Sequence, residues 1–341
     1  MHESSQNVCK RGTKVEQDNL TYTEIKEEKR AAFLQKNITV FFGAMICCAL
    51  WGSAFPCVKI GMDMFGIAAS QPADLVLFAG IRFTLAGFFV VVIGSISEKR
   101  ILIPRGAQYG KILKLCLFQT IGQYSFYYIG LAHSTGVNTS IVDSLSYFFS
   151  ILSACLLFRI EKLDSRKTVG CILGFFGVVL VNLSSSGFEL NMTFIGEGMV
   201  LISAVCYSIS SVLAKLYGKD DNPVLISGYQ FMVGGIALIL GGLAFGGGIR
   251  KVSVGAIAML IYLALISTVA YTLWTVLLKY NDVSKVSIYG FMNPIFGVLF
   301  SVIILGETQA ISIRYLAALV TVSVGIALVN GKFTQKKSKS A

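Results

Sequence analysis

Apolar runs of about 20 residues, each long enough to carry a helix across roughly 30 Å of hydrocarbon, follow one another along almost the whole chain. Ten such runs lie near residues 38–60, 75–96, 112–131, 136–158, 168–185, 194–216, 225–246, 254–278, 285–305 and 313–330. Backbone groups in lipid must bond within their own segment, so each run is expected as a helix. Composition agrees: 55% of the 341 residues are hydrophobic and 14% charged, where a soluble chain carries about one quarter charged residues. The expected fold class is therefore an all-α polytopic membrane protein with ten transmembrane helices.

The formal net charge of +11 does not call for nucleic acid, because the positive residues are distributed by side. With residue 1 inside and ten crossings, the 29 Lys and Arg residues fall in the inner segments except Lys59, Arg82, Arg250, Lys251 and Arg314. That bias places both termini in the cytoplasm. Residues 1–37 read as a solvated cytoplasmic tail with no signal-peptide pattern, although the Glu and Lys spacing from Thr23 to Gln35 allows a helix. Residues 331–341 form a basic tail suited to anionic lipid headgroups. Of the eight cysteines, Cys9 lies in the tail and the rest in apolar spans, so no structural disulfide is expected. No Cys/His pair has metal-ligand spacing, so neither a metal nor a cofactor is expected.

The chain also resembles itself. Cys48–Lys59 (CALWGSAFPCVK) lies over Ala204–Lys215 (AVCYSISSVLAK), and Ala79–Gly87 (AGIRFTLAG) over Ser227–Gly235 (SGYQFMVGG). Tyr124–Ser140 lies over Tyr271–Ser287 without a gap, and Gly177–Asn182 (GVVLVN) over Gly325–Asn330 (GIALVN). Five spans thus repeat as five, giving units at 38–185 and 194–330. Because five is odd, the second unit starts on the opposite side of the membrane. Inverted repeats of this kind recur in secondary transporters, where two similar halves exchange roles around a central site.

WGSAFPCVK, AGIRF, the five-plus-five repeat and the acidic residues after the fourth and ninth spans (FRIEKLDSRK and LGETQ) resemble the EamA family of the drug/metabolite transporter superfamily. The resemblance covers about residues 38–330. It implies a ten-helix transporter with a cavity between helices of both halves, often an exporter of amino acids or other small metabolites. It does not choose a substrate. The family often has a proline in both the fourth and ninth spans; here Pro294 has Tyr147 as its repeat partner.

Residues that are costly in lipid mark the candidate site. Arg82 lies roughly 12 Å below the outer face and Asp143 roughly 10 Å, where an ionisable residue is a functional-site hypothesis that needs a partner. Depth permits an Arg82–Asp143 pair, either a structural lock or an arginine for a carboxylate and an aspartate for an amino group or a proton. Trp51, roughly 20 Å into its helix, either lines a cavity or packs between helices. Gln123, Tyr124, Tyr127, Ser146, Tyr147, Tyr207, Gln230, Tyr271, Trp274, Tyr289 and Asn293 supply aromatic walls with polar tips, which suit an amphipathic small molecule. Gln230 is the repeat mate of Arg82, an asymmetry that can orient a charged substrate.

Pro56 and Pro294 mark helix bends. Lys59 and Lys215 sit at helix C-termini, where cations snorkel to headgroups or act at a gate. His133 reads as a solvated turn residue. Glu161 and Glu307 are expected to stabilise the starts of the fifth and tenth spans. Glycines 170, 174, 177, 234, 235, 241 and 242 allow close helix approach.

With no phosphate-cradling Gly-x-x-x-x-Gly-Lys-Ser/Thr loop, the reading is a secondary exporter of the cell membrane, bacterial inner membrane in type, with Asp143 as the candidate carrier of a coupling proton. The alternatives are an importer of the same kind, an intramembrane lipid-modifying enzyme, and a membrane sensor. Scarce histidine, no carboxylate cluster and short loops disfavour the last two.

Overall fold

In the computed structural model, residues 25, 27–68, 70–134, 136–182, 193–306 and 313–330 are described. Every regular element among them is helical. The helices are α1 Asn37–Phe65, α2 Pro72–Ser97, α3 Gln108–Cys116, α4 Gln123–Ala132, α5 Gly136–Leu152 and α6 Ser165–Asn182. They continue with α7 Met199–Asp220, α8 Pro223–Ala244, α9 Val254–Tyr280, α10 Val283–Ser287, α11 Met292–Leu305 and α12 Ile313–Asn330. π-Helical turns join α3 to α4 at Leu117–Gly122, extend α5 over Ser153–Leu157 and open α7 at Phe194–Gly198, while a 3-10 turn, Ile288–Phe291, separates α10 from α11.

Among the described residues, seven helices are long and apolar enough to cross a membrane, and Val142–Leu157 is a shorter apolar one. The expected runs outside the seven fall on α5, on α6 and on α3–α4, where Lys114, Gln119 and Gln123 dilute the apolar stretch.

Helix ends follow local chemistry. Asn222 Oδ1 accepts from Val224 N at 2.9 Å ahead of Pro223, and Ser253 Oγ accepts from Ala256 N at 3.1 Å. Both satisfy amides that the first turn leaves without an intrahelical partner. α1 runs unbroken through Pro56 and ends at Gly66, whose φ of 67° suits glycine.

Packing pairs helices from the two halves. α2 lies against α8 so closely that a Cβ on Gly87 would stand 2.5 Å from Gly228 O and from Met232 N. α6 and α12 meet likewise, with a Gly170 Cβ 2.8 Å from Gly325 O. Gly241 is different: nothing lies within 4 Å of its Cβ position, so it serves no close approach. α1 packs on α9 and α11, and α7 packs on α4 and α5, so the first helix of each half is embraced by helices of the other.

Two apolar clusters result. One gathers Val40, Cys48, Ile151, Val212 and Leu278; the other gathers Phe65, Phe78, Leu238 and Leu263. Trp51 and Leu50 pack against both. The face where α1 begins carries most of the described Lys and Arg and is called the basic face below. The opposite face is pinned by Asp74, whose Oδ1 accepts from Gly248 N at 2.9 Å and whose Oδ2 lies 3.5 Å from Arg250.

Candidate functional site

Where the two clusters meet, aromatic rings from both halves converge. Trp51 of α1 stands edge-on to Tyr271 and Trp274 of α9, with centroids 5.0 and 5.1 Å away. The Tyr271 hydroxyl is hydrogen-bonded to that of Tyr124 on α4. Tyr124 lies 4.2 Å from Phe83 of α2, which stacks at 5.3 Å on Phe231 of α8. On the basic-face side, Tyr147 of α5 meets Tyr207 of α7 edge-on at 5.9 Å and its hydroxyl accepts from Asn293 Nδ2 at 2.6 Å.

Near these rings are buried polar atoms with no hydrogen-bond partner: Trp51 Nε1, Arg82 Nε, Gln123 Oε1, Gln230 Nε2, Trp274 Nε1 and Asn293 Oδ1. Buried polar groups are normally paired, so this concentration marks these residues as the candidate site.

Arg82 and Asp143 do not pair directly. Arg82 is 7% exposed, and its guanidinium carbon lies 4.4 Å from the centre of the Phe83 ring. It is within electrostatic reach of Tyr124, Tyr127 and Tyr271, whereas Asp143 is within reach of Tyr127, Tyr147 and Tyr207. Tyr127 is within electrostatic reach of both. Equal depth could not reveal that, because depth fixes one coordinate of three.

Gln230, the repeat mate of Arg82, is fully buried and its Oε1 accepts from Thr120 Oγ1 at 2.6 Å. Thr120 sits on a π-helical turn, and such turns favour functional positions. Sequence reasoning passed over Thr120, Phe83 and Phe231. The two phenylalanines had a signal, since they coincide in the two copies of the repeat.

Other candidates stand outside this cluster. The Tyr289 ring packs on Phe41 at 6.1 Å rather than on the Tyr147–Tyr207 pair. Ser146 is buried on α5, and its carbonyl accepts from Ser150 Oγ at 2.7 Å. Pro56 is buried within α1, and Lys59 is exposed near that helix's end. Lys215 does not reach for headgroups: it is 6% exposed and its Nζ donates to Asn281 O. Pro294 lies in the first turn of α11, where its missing N–H costs no helix bond. His133 is exposed, as expected of a turn.

Glu161 departs from expectation. Its carboxylate accepts from Val283 N at 2.5 Å, from Ser284 N and Oγ, and from Lys167 Nζ at 3.1 Å. It therefore caps α10 of the other half, and Asp164, accepting from Lys167 N at 2.9 Å, is the residue at the start of α6. Glu307 lies outside the described residues. Residues 27–34 are helical and dock on the α9–α10 turn, through Glu27 to Tyr280 at 2.8 Å and Leu34 O to Asn281 at 3.0 Å, so this part of the tail is not a free tether.

Comparison with known proteins decides the family. The model of the EamA-like transporter family matches residues 38–183 and again 194–331. The chain belongs to that family. An uncharacterized transporter of Archaeoglobus fulgidus is 28% identical over 76% of this chain and 86% of its own length. Uncharacterized transporter YvbV of Bacillus subtilis is 25% identical over 85% of this chain and 90% of its own. One solved crystal structure shares the fold, with a TM-score of 0.71 at 17% identity over 86% of this chain and 96% of its own. The protein is thus a membrane transporter of the EamA-like family, which binds a small-molecule substrate within a lipid bilayer.

Proposed function

We propose that this EamA-like chain is a secondary transporter of ten helices in two inverted five-helix repeats, with both termini cytoplasmic. It exports amino acids or similar small amphipathic metabolites across the cell membrane by alternating access. The observation that carries the reading is the set of unpartnered buried polar atoms, Arg82 Nε, Trp51 Nε1, Trp274 Nε1 and Gln230 Nε2, gathered among aromatic rings. The two stretches matched by the family model and the reciprocal packing of α1 and α7 support the repeat.

In this reading Arg82 receives the substrate's carboxylate, because a guanidinium offers a fixed fork of donors. Asp143, across Tyr127, receives the amino group or a coupling proton. The Tyr124–Tyr271 hydroxyl pair and the Trp51–Trp274 walls hold the apolar part, and Gln230 makes the two ends of the site chemically unequal.

Metabolite profiling of medium from cells expressing wild type or Arg82→Gln at matched membrane levels tests this. One compound class enriched outside with wild type and not with the variant is expected. Depletion of a compound from the medium would replace export by import, and no difference between wild type and empty vector would refute export.

A further inference from the structure

We propose that α10 with the 3-10 turn behind it is the movable gate of the basic face, and that Glu161 is its latch. This rests on the transporter reading, but on side chains outside the substrate site.

The α9–α10 turn is held from three directions. Glu161 of the first half, 3% exposed in its side chain, takes the amides of Val283 and Ser284 and the Ser284 hydroxyl. Lys215 of α7 donates to Asn281 O and lies 3.9 Å from Asp282. The segment before α1 contributes Leu34 O to Asn281 and Gln35 O to Lys285 at 2.9 Å. The Glu161 bonds join the two halves here, and they enclose a buried carboxylate serving several donors. Such charge-assisted bonds are strong while made and costly to leave half-made, which suits a contact with two discrete states.

The arm behind the latch is jointed. Val283–Ser287 is α-helical, Ile288–Phe291 is 3-10, and α-helix resumes at Met292. Pro294 has no N–H to offer the carbonyl of Gly290, which fits a junction between the 3-10 turn and the α-helix at this point, and a short 3-10 stretch inside a helix often marks a hinge. The joint touches the substrate site: a Cβ on Gly290 would lie 2.2 Å from the Tyr147 ring, and Asn293 bonds the Tyr147 hydroxyl. A guest that moves Tyr147 therefore acts on the joint whose tip Glu161 holds.

Two native thiols on α1 report the motion without any substrate. Cys48 is fully buried and its Sγ donates to Tyr289 O of the 3-10 turn at 3.3 Å, whereas Cys57 belongs to the other apolar cluster, the one that contains Phe65 and Leu263. Membrane vesicles are treated on the basic face with a membrane-impermeant methanethiosulfonate, and labelling of each cysteine is followed by peptide mass spectrometry. Glu161→Gln is expected to speed Cys48 labelling at least about tenfold, the scale of one lost charged hydrogen bond, and to leave Cys57 unchanged. Ser284→Ala, which removes one donor and keeps the carboxylate, is expected to give a smaller rise confined to Cys48 and keeps the test open if the first variant misfolds. Unchanged Cys48 labelling in folded variants, or an equal rise at both cysteines, would overturn the latch. Because no transported compound is needed, that result would leave the export reading standing.

Discussion

Gly290→Ala probes the joint between gate and site. The new Cβ would stand 2.2 Å from Tyr147 Cδ1 and Cε1, and ordinary contact begins near 3.4 Å, so the ring must retreat by about 1.2 Å. It has little room to do so, being 5% exposed, edge-on to Tyr207 and 5.6 Å from Phe291. A retreat of that size also stretches the 2.6 Å bond from Asn293. Overpacking of this kind costs about 1–3 kcal/mol and a lost buried hydrogen bond about 1 kcal/mol more. Purified protein in detergent should therefore melt about 4–8 °C lower, and a transport rate should fall with it. Gly110→Ala, with nothing within 4 Å, is the control for the substitution itself. In a Tyr147→Leu background the obstructing ring is gone, so adding Gly290→Ala should cost less than about 0.5 kcal/mol. Equal costs in both backgrounds, or an unchanged melting point in the single variant, would refute the close approach and the coupling built on it.

Two further outcomes follow from named bonds. Thr120→Val leaves the Gln230 carboxamide, fully buried, without the 2.6 Å donor to its Oε1; a loss of about 1–3 kcal/mol is expected, read as a lower melting temperature, and Thr120→Ser should restore most of it. At the basic face Lys111 lies 2.5 Å from Asp221. Burial pushes the Asp221 carboxyl up, but the bonds from Lys111 and Gln108 outweigh it and hold the group below its ordinary range, while the bond to Asp221 raises Lys111. The stabilisation is thus present above the ordinary carboxylate pKa and lost as pH falls through the depressed one, and it fades again as pH rises through the raised lysine value. Lys111→Met should lower the melting point modestly, by about 1 kcal/mol at neutral pH, and by less in acid; a pH-independent difference would count against the pair.

The helices, the membrane setting and the family were legible in the sequence, because apolar run length and side-dependent charge are local properties that lipid imposes on any chain. Among the candidate side chains, Trp51, Tyr124, Tyr271 and Trp274 lie against one another, and Tyr207 lies against Tyr147. Which of them touch was not legible. Arg82 and Asp143 are placed at similar depth by the sequence yet form no ion pair; Glu161 sits next to α6 in sequence yet caps α10, 122 residues away; and Lys215, placed at a helix end, turns inward to Asn281. Periodicity and spacing determine what each helix presents, but the partner across a helix interface is chosen by how whole rods cross, and only the close approach of α2 to α8 and of α1 to α9 and α11 decided it.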